Sequence, residues 1–318
     1  MIQYYIGIDV GGTKIAYGLF NNERLLVKTW RQPASKEAEC VPFFDDLISQ
    51  VQQILEGLDL SPSQLGGVGV GMPSYIDQNQ GRIIKTANLN KIRDFDARSY
   101  LQDRLQTRVV LGNDANAAAL AEFYHGAGRG LQHMIYCPIS TGCSSAIIIN
   151  GKLFQGAYGW AGESSHGIIT PDDNLLCGCG NRGCYMSHIS GSMIVKRIQA
   201  RIAQGETTSM LDLVDGNPDK ITAEHLLVAA RAGDNLALQA VDHMAFYLGL
   251  WLFNLYQTLN IPVFVFGGGL INFGDMLFDK AKEIFNQYEN TGYPVEFRFA
   301  KLGADTGTIG AMELLFHT

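Results

Sequence analysis

The sequence predicts an α/β protein of two domains, and three observations carry that expectation. The chain has 318 residues, 47% of them apolar, which exceeds the usual size of one domain and supplies material for two packed cores. Apolar runs of strand length alternate with stretches of helical periodicity. Each half of the chain also opens alike, with a strand, a short glycine-containing turn and a returning strand.

Taken in order, Tyr4 to Val10 is an apolar run, Gly11-Gly12-Thr13-Lys14 a turn, and Ile15 to Phe20 a second apolar run that stops at Asn21-Asn22. Helical periodicity from about Val41 to Leu58 is followed by a strand at Gly67 to Gly71, entering Met72-Pro73. Val109 to Leu111 reads as a short strand, and the Ala- and Leu-rich run from Ala115 to Tyr124 as a helix. Met134 to Ile139, Ser140-Thr141-Gly142 and Ala146 to Ile149 read as a second hairpin, followed by an Asn150-Gly151 turn, itself a strong local hairpin signal. Helices dominate from Ile221 to Leu259 after a loop at Asp215 to Lys220, and Val263 to Phe266 is a strand ending in Gly267-Gly268-Gly269.

Composition narrows the function. A net charge of −7 without a basic run argues against a nucleic-acid surface and for a small-molecule partner. The N-terminus lacks a charged region followed by a long apolar one, which argues against secretion and for a cytoplasmic location. The apolar stretch Met244 to Leu259 is interrupted by Asn254 and Gln257 and is short for a membrane span, so no membrane partner is expected. Cys40, Cys137 and Cys143 look like packed thiols, whereas Cys177, Cys179 and Cys184 crowd into eight residues.

The N-terminal glycines fit neither a dinucleotide fold, which needs a helix after the turn, nor a P-loop, which needs different spacing. A glycine hairpin can still bring backbone N–H groups close to phosphate oxygens. Asp9, at the end of the strand, would repel a phosphate unless a divalent cation lay between them, which implies Mg²⁺; a tight turn with a solvated Asp is the plainer alternative. Asp114, at a strand-to-helix junction, could simply cap the helix. With Asn113 beside it, it also has the chemistry to take a proton from a hydroxyl while its neighbour orients the acceptor. His166, Cys177, Cys179 and Cys184 offer one imidazole and three thiolates on a glycine-rich loop, a set suited to closed, structural, tetrahedral Zn²⁺. A Cys177 to Cys179 disulfide would close a very small, strained ring.

With these residues assembled, nearly the whole chain resembles the ROK family of bacterial sugar kinases and sugar-responsive repressors. Gly7 to Lys14 is similar to that family's first phosphate motif, and Gly112-Asn113-Asp114-Ala115-Asn116 to its catalytic segment. Gly159 to His166 with the cysteine loop is similar to its signature and zinc motif, Gly267-Gly268-Gly269 to its adenosine motif, and Gly303 to Ala311 to its closing segment. The resemblance implies two ribonuclease-H-like (actin-like ATPase) domains around a central cleft, a small one of residues 1–114 plus about 303–318 and a large one of 115–302 carrying the zinc loop. It implies ATP, Mg²⁺ and structural Zn²⁺ as cofactors, and commonly a homodimer. It makes Asp114 the general base and places Asn88, Asn113, Asp114, Glu163 and His166 at the sugar. Asp9, Gly11, Gly12, Thr13, Lys14, Thr141, Gly142, Gly268 and Gly269 go to ATP and its phosphates. His166 would serve sugar and zinc through different ring nitrogens.

Several positions depart from the family pattern. Ser74 and Ser165 stand where glycine is common, and Ser140-Thr141-Gly142-Cys143-Ser144-Ser145 is poorer in glycine than the usual second phosphate motif. Met186 stands where a sugar-binding Glu is common, and a thioether is a poor partner for a hydroxyl. Spacing is most like that of glucokinases of the family. N-acetylmannosamine, allose or a β-glucoside are alternative acceptors, and a weakly active sugar sensor is an alternative role. A repressor would carry a helix-turn-helix before the first phosphate motif, and a strand that begins by Tyr4 leaves no room for one.

Overall fold

In the computed structural model, which describes residues 3–318, the first apolar run becomes the middle of a mixed sheet. Strands β1 (Tyr4–Val10) and β2 (Lys14–Phe20) form the expected hairpin, pairing Asp9 with Ala16 and Val10 with Ile15. β3 (Leu26–Pro33) adds antiparallel to β2; its alternation is weak and its residues mostly half-exposed, so the sequence does not announce it. Helix α1 (Cys40–Glu56) buries Phe44, Leu47, Val51 and Ile54 at helical spacing, and β4 (Leu65–Met72) then lies parallel to β1.

Strands β5 (Ser74–Asp77), β6 (Arg82–Thr86) and β7 (Arg93–Phe95) make a small separate antiparallel sheet, and α2 (Ala97–Leu105) leads to β8 (Val109–Asn113), parallel to β4. None of β5, β6, β7 and α2 is visible as a periodic apolar segment. α2 buries only Ala97, Leu101 and Leu105. The main sheet has the order β3-β2-β1-β4-β8.

Beyond α3 (Asp114–His125) come β9 (Met134–Pro138), β10 (Ala146–Ile149) and β11 (Lys152–Phe154). β10 and β11 form a hairpin at the predicted Asn150-Gly151 turn, with Asn150 at φ 53° and Gly151 at φ 72°, the left-handed pair a tight turn needs. α4 (Met186–Ile189), α5 (Gly191–Ala203), α6 (Ala223–Arg231) and α7 (Asn235–Leu259) follow. β12 (Val263–Gly267) lies parallel to β9 on one side and, after α8 (Asp275–Tyr288), to β13 (Glu296–Phe299) on the other. At 25 residues α7 is longer than the apolar run suggests and is long and apolar enough to cross a bilayer by those measures alone. Its buried side chains, among them Trp251 and Leu252, pack within the protein, and Asn254 donates to the Tyr185 hydroxyl.

The chain forms two compact units, Met1–Met134 with Ala146–Ala161 and Ala300–Thr318, and Ile135–Ser145 with Gly162–Phe299. This division keeps α3 in the first unit, whereas the sequence expectation ends that domain at 114. The reason is α9 (Thr306–His317), which lies along α3 and covers the main sheet. A Cβ on Gly310 would sit 2.0 Å from the Ala117 carbonyl oxygen, and one on Gly69 only 1.7 Å from that of Ala311. Glycine is required on those faces because backbone meets backbone there.

Candidate active site

The site residues expected from sequence fall into two groups, one in each unit. In the first, the β1–β2 turn is closed by the Gly11 N–H donating to the Lys14 carbonyl at 2.9 Å. Neither Gly11 nor Gly12 has a positive φ; what favours glycine at Gly12 is space, since a Cβ there would lie 3.3 Å from Asn88 Cβ. Asn88 is thereby placed beside the turn, and it, Thr13 and Lys14 are exposed.

Asp9 faces α9, where a Cβ on Gly307 would lie 2.2 Å from its carboxyl. Its pKa is raised to about 6, chiefly by burial and next by the charge of Asp114, and Lys14 offsets only part of this. Asp114 opens α3 but does not cap it. The cap is Asn113, whose Oδ1 accepts from the Ala115 and Asn116 N–H groups at 2.9 and 3.4 Å, leaving its Nδ2 3.4 Å from the Ser74 carbonyl oxygen. Asp114 therefore keeps a carboxylate that the helix does not consume as its cap, bonded only to nearby backbone N–H groups, that of Ala115 at 3.0 Å and its own. Burial raises its pKa, and the backbone bonds only partly oppose this.

In the second unit, Ile139 bridges Cys143 across a tight turn that exposes Thr141 and Gly142. Gly268 and Gly269 lie against the base of this turn. The Leu270 N–H donates to the Ile139 carbonyl at 3.0 Å, and Gly268, at φ 84°, would place a Cβ 2.4 Å from the same oxygen. The Ser140–Cys143 turn and the Gly267–Gly269 segment are thus joined by main chain.

The four donors proposed from sequence do converge. One ligand atom from each of His166, Cys177, Cys179 and Cys184 lies within 4.8 Å of all the others, and all six cysteines are free thiols. Cys177 Sγ is 3.6 Å from His166 Nδ1, and Cys179 Sγ is 3.6 Å from Cys184 Sγ. Two thiolates bound tetrahedrally at the usual zinc–sulfur distance stand about 3.8 Å apart, so this donor set fits the metal in chemistry and in size. The other imidazole nitrogen, Nε2, is 3.7 Å from Glu163 Oε2, so the two ring nitrogens of His166 face different neighbours.

Some residues had no signal in the sequence. Glu122 is wholly buried, and its carboxylate accepts from the backbone N–H groups of Ala127, Lys301 and Leu302 at 2.8 to 3.1 Å, anchoring the segment that leads into α9. His188 is buried, with Nε2 2.6 Å from Thr170 Oγ1 and Nδ1 3.0 Å from His243 Nε2.

The sheet order, the glycine hairpin with its carboxylate and the second carboxylate at a helix start define an α/β protein of the ribonuclease-H-like (actin-like ATPase) fold. The chain belongs to the ROK family, whose model matches residues 5–318. It is 34% identical to a glucokinase of Halalkalibacterium halodurans over 97% of this chain and 93% of that one. Among solved structures it is similar to a ROK family glucokinase from Streptomyces griseus in complex with glucose and AMPPNP, with 31% identity, a TM-score of 0.81 and 98% of each chain covered. It is also 29% identical to a xylose repressor of Bacillus spizizenii, over 99% of this chain and 77% of the repressor.

Proposed function

We propose that this chain is an ATP-dependent hexose kinase, glucokinase-like in its acceptor. The observation that carries the reading is the state of Asp114: a carboxylate at a helix start, not used as the cap and raised in pKa by burial, is a stronger base than a solvated one. Asp114 takes the proton as the acceptor hydroxyl oxygen bonds to the γ-phosphorus and the bond to the ADP oxygen breaks. Asn113 Nδ2, Asn88, Glu163 and His166 Nε2 orient the sugar. The turns at Gly11 to Lys14 and at Thr141-Gly142, with Gly268 and Gly269, receive the nucleotide. Asp9 would hold Mg²⁺, which when bound neutralises phosphate charge. His166 Nδ1, Cys177, Cys179 and Cys184 would hold Zn²⁺ in a closed, structural role. Use of ATP fits a cytoplasmic location, and assembly as a homodimer belongs to the same reading.

The test is ADP release with Mg-ATP and a panel of glucose, N-acetylmannosamine, allose and a β-glucoside. Glucose is expected to give the highest kcat/KM, and a panel with no sugar-dependent release favours the sugar-sensing alternative, for which the resemblance to xylose repressors speaks. Metal analysis should find about one zinc per chain, and Cys179→Ser should lower zinc content and sugar affinity together, because the same loop places Glu163 and His166.

A further inference from the structure

The Thr141–Cys143 turn is held by two arms from the cysteine loop. The Ser165 hydroxyl, fully buried, donates to the Cys143 carbonyl at 2.6 Å. The Cys143 N–H in turn donates to Met186 Sδ at 3.2 Å, and that thioether would lie 3.7 Å from a Cβ on Gly142. One peptide residue is therefore gripped at both its polar groups, by Ser165 immediately before His166 and by Met186 two residues after Cys184. Those are the first and last members of the S₃N cluster. The rest of the turn is tied separately: the Ser192 hydroxyl donates to the Thr141 carbonyl at 2.7 Å and the Gly191 N–H to that of Ser140 at 2.8 Å. Of the positions at which the sequence leaves its family pattern, Ser165, Cys143 and Met186 thus meet in one contact.

We infer that Ser165 and Met186 are positioning residues for the nucleotide-phosphate turn, and that through them the Cys/His cluster sets nucleotide affinity. The inference rests on the reading of Thr141-Gly142 as a phosphate segment. The physical case is one of pre-organisation. A turn whose backbone groups must be aimed at phosphate oxygens binds more tightly when its neighbouring peptide is already fixed. Ser165 makes the stronger bond, since a thioether is only a weak acceptor. Both arms spring from residues flanking the ligands, so loss of the metal frees both at once.

The experiment is calorimetric titration of Mg-ADP, and separately of glucose, into zinc-loaded and chelator-treated protein. It is done for the wild type, Met186→Leu, Ser165→Ala and the double variant. In the wild type, removing zinc is expected to weaken Mg-ADP binding by about three- to tenfold, the range of one or two lost hydrogen bonds. In the double variant Mg-ADP should bind about equally weakly with or without zinc, while glucose affinity keeps its zinc dependence through Glu163 and His166. A double variant that retains the wild-type zinc dependence of Mg-ADP binding overturns the inference, as does a parallel loss of Mg-ADP and glucose affinity in the zinc-loaded double variant, which signals general misfolding. Should Ser165→Ala not fold, the volume-conserving Met186→Leu carries the test alone, with a smaller loss of the same kind. Wild-type zinc-loaded protein that binds no Mg-ADP sinks the kinase reading itself, and that failure is seen before any variant is compared.

Discussion

A carboxylate lies at each end of helix α9, Glu313 buried and Asp9 half-buried, and the two are treated in opposite ways. At its C-terminal end Glu313, wholly buried, is ringed by nitrogen groups: Arg24 Nη1 at 3.0 Å, His125 Nε2 at 2.7 Å and His317 Nε2 at 3.1 Å. Desolvation is overcome there, chiefly by the bonds from His125 and His317 and then by the Arg24 charge, and the pKa falls to about 2. At the N-terminal end Asp9 meets Gly307 and a second carboxylate, Asp114, and its pKa rises to about 6. Folding has neutralised the first carboxylate and left the second short of positive charge. An uncompensated, half-buried carboxylate pair is costly to keep, and its persistence points to a cation supplied from outside, whereas a compensated carboxylate is part of the scaffold.

Three substitutions test that contrast, from the largest expected effect to the smallest. Glu313→Ala should lower stability by about 3–5 kcal/mol, because Arg24 and two histidines lose their shared partner. Urea unfolding at pH 7 measures it, and a loss below about 1 kcal/mol would mean the cluster is only a solvated surface network. The sign with pH follows from the lowered pKa: this stabilisation is present above the unfolded value near 4.5 and fades as pH falls towards 2. Asp114→Asn should reduce kcat by about 10²-fold or more, equivalent to about 3 kcal/mol of transition-state stabilisation, with glucose affinity nearly unchanged. A rate near wild type would remove Asp114 as the base.

Asp9→Asn should do the reverse of Glu313→Ala. It should raise stability at pH 7.5 by about 1–3 kcal/mol while weakening use of Mg-ATP. Because the folded pKa lies above the unfolded one, the cost of Asp9 is absent below about 3.8 and complete above about 6, so the gain should vanish near pH 4. Unfolding curves at pH 4, 6 and 7.5 decide it. Added Mg²⁺ should stabilise the wild type and not the variant.

How much was legible in the sequence depended on how local each feature is. The β1–β2 and β10–β11 hairpins, the start of α3 and the S₃N donor set lie within short stretches whose residue types carry their own geometry. Three thiols and an imidazole on a glycine-rich loop have few other uses, and the structure brings them within 4.8 Å. β3, the small β5–β7 sheet and α2 escaped because each is half-exposed and short of apolar periodicity, so burial against distant neighbours decides them. Met186 was legible as an exception to the family pattern, but not in its direction. Its sulfur lies on the Cys143 peptide, a contact between residues 43 positions apart.

The sequence by itself determined which chemical groups are present and where the chain turns, because strand alternation, Asn-Gly geometry and ligand type are properties of adjacent residues. Only the tertiary structure decided which carboxylate is neutralised, which of Asn113 and Asp114 caps α3, and which loop Met186 supports. The choice of cap turns on which side chain meets the Ala115 and Asn116 N–H groups, and the other two outcomes depend on desolvation and on partners from far along the chain, such as Gly307 against Asp9 and Arg24 beside Glu313. A side chain's charge state and bonding are set by the groups that folding places around it, and no local pattern of residues encodes that surrounding.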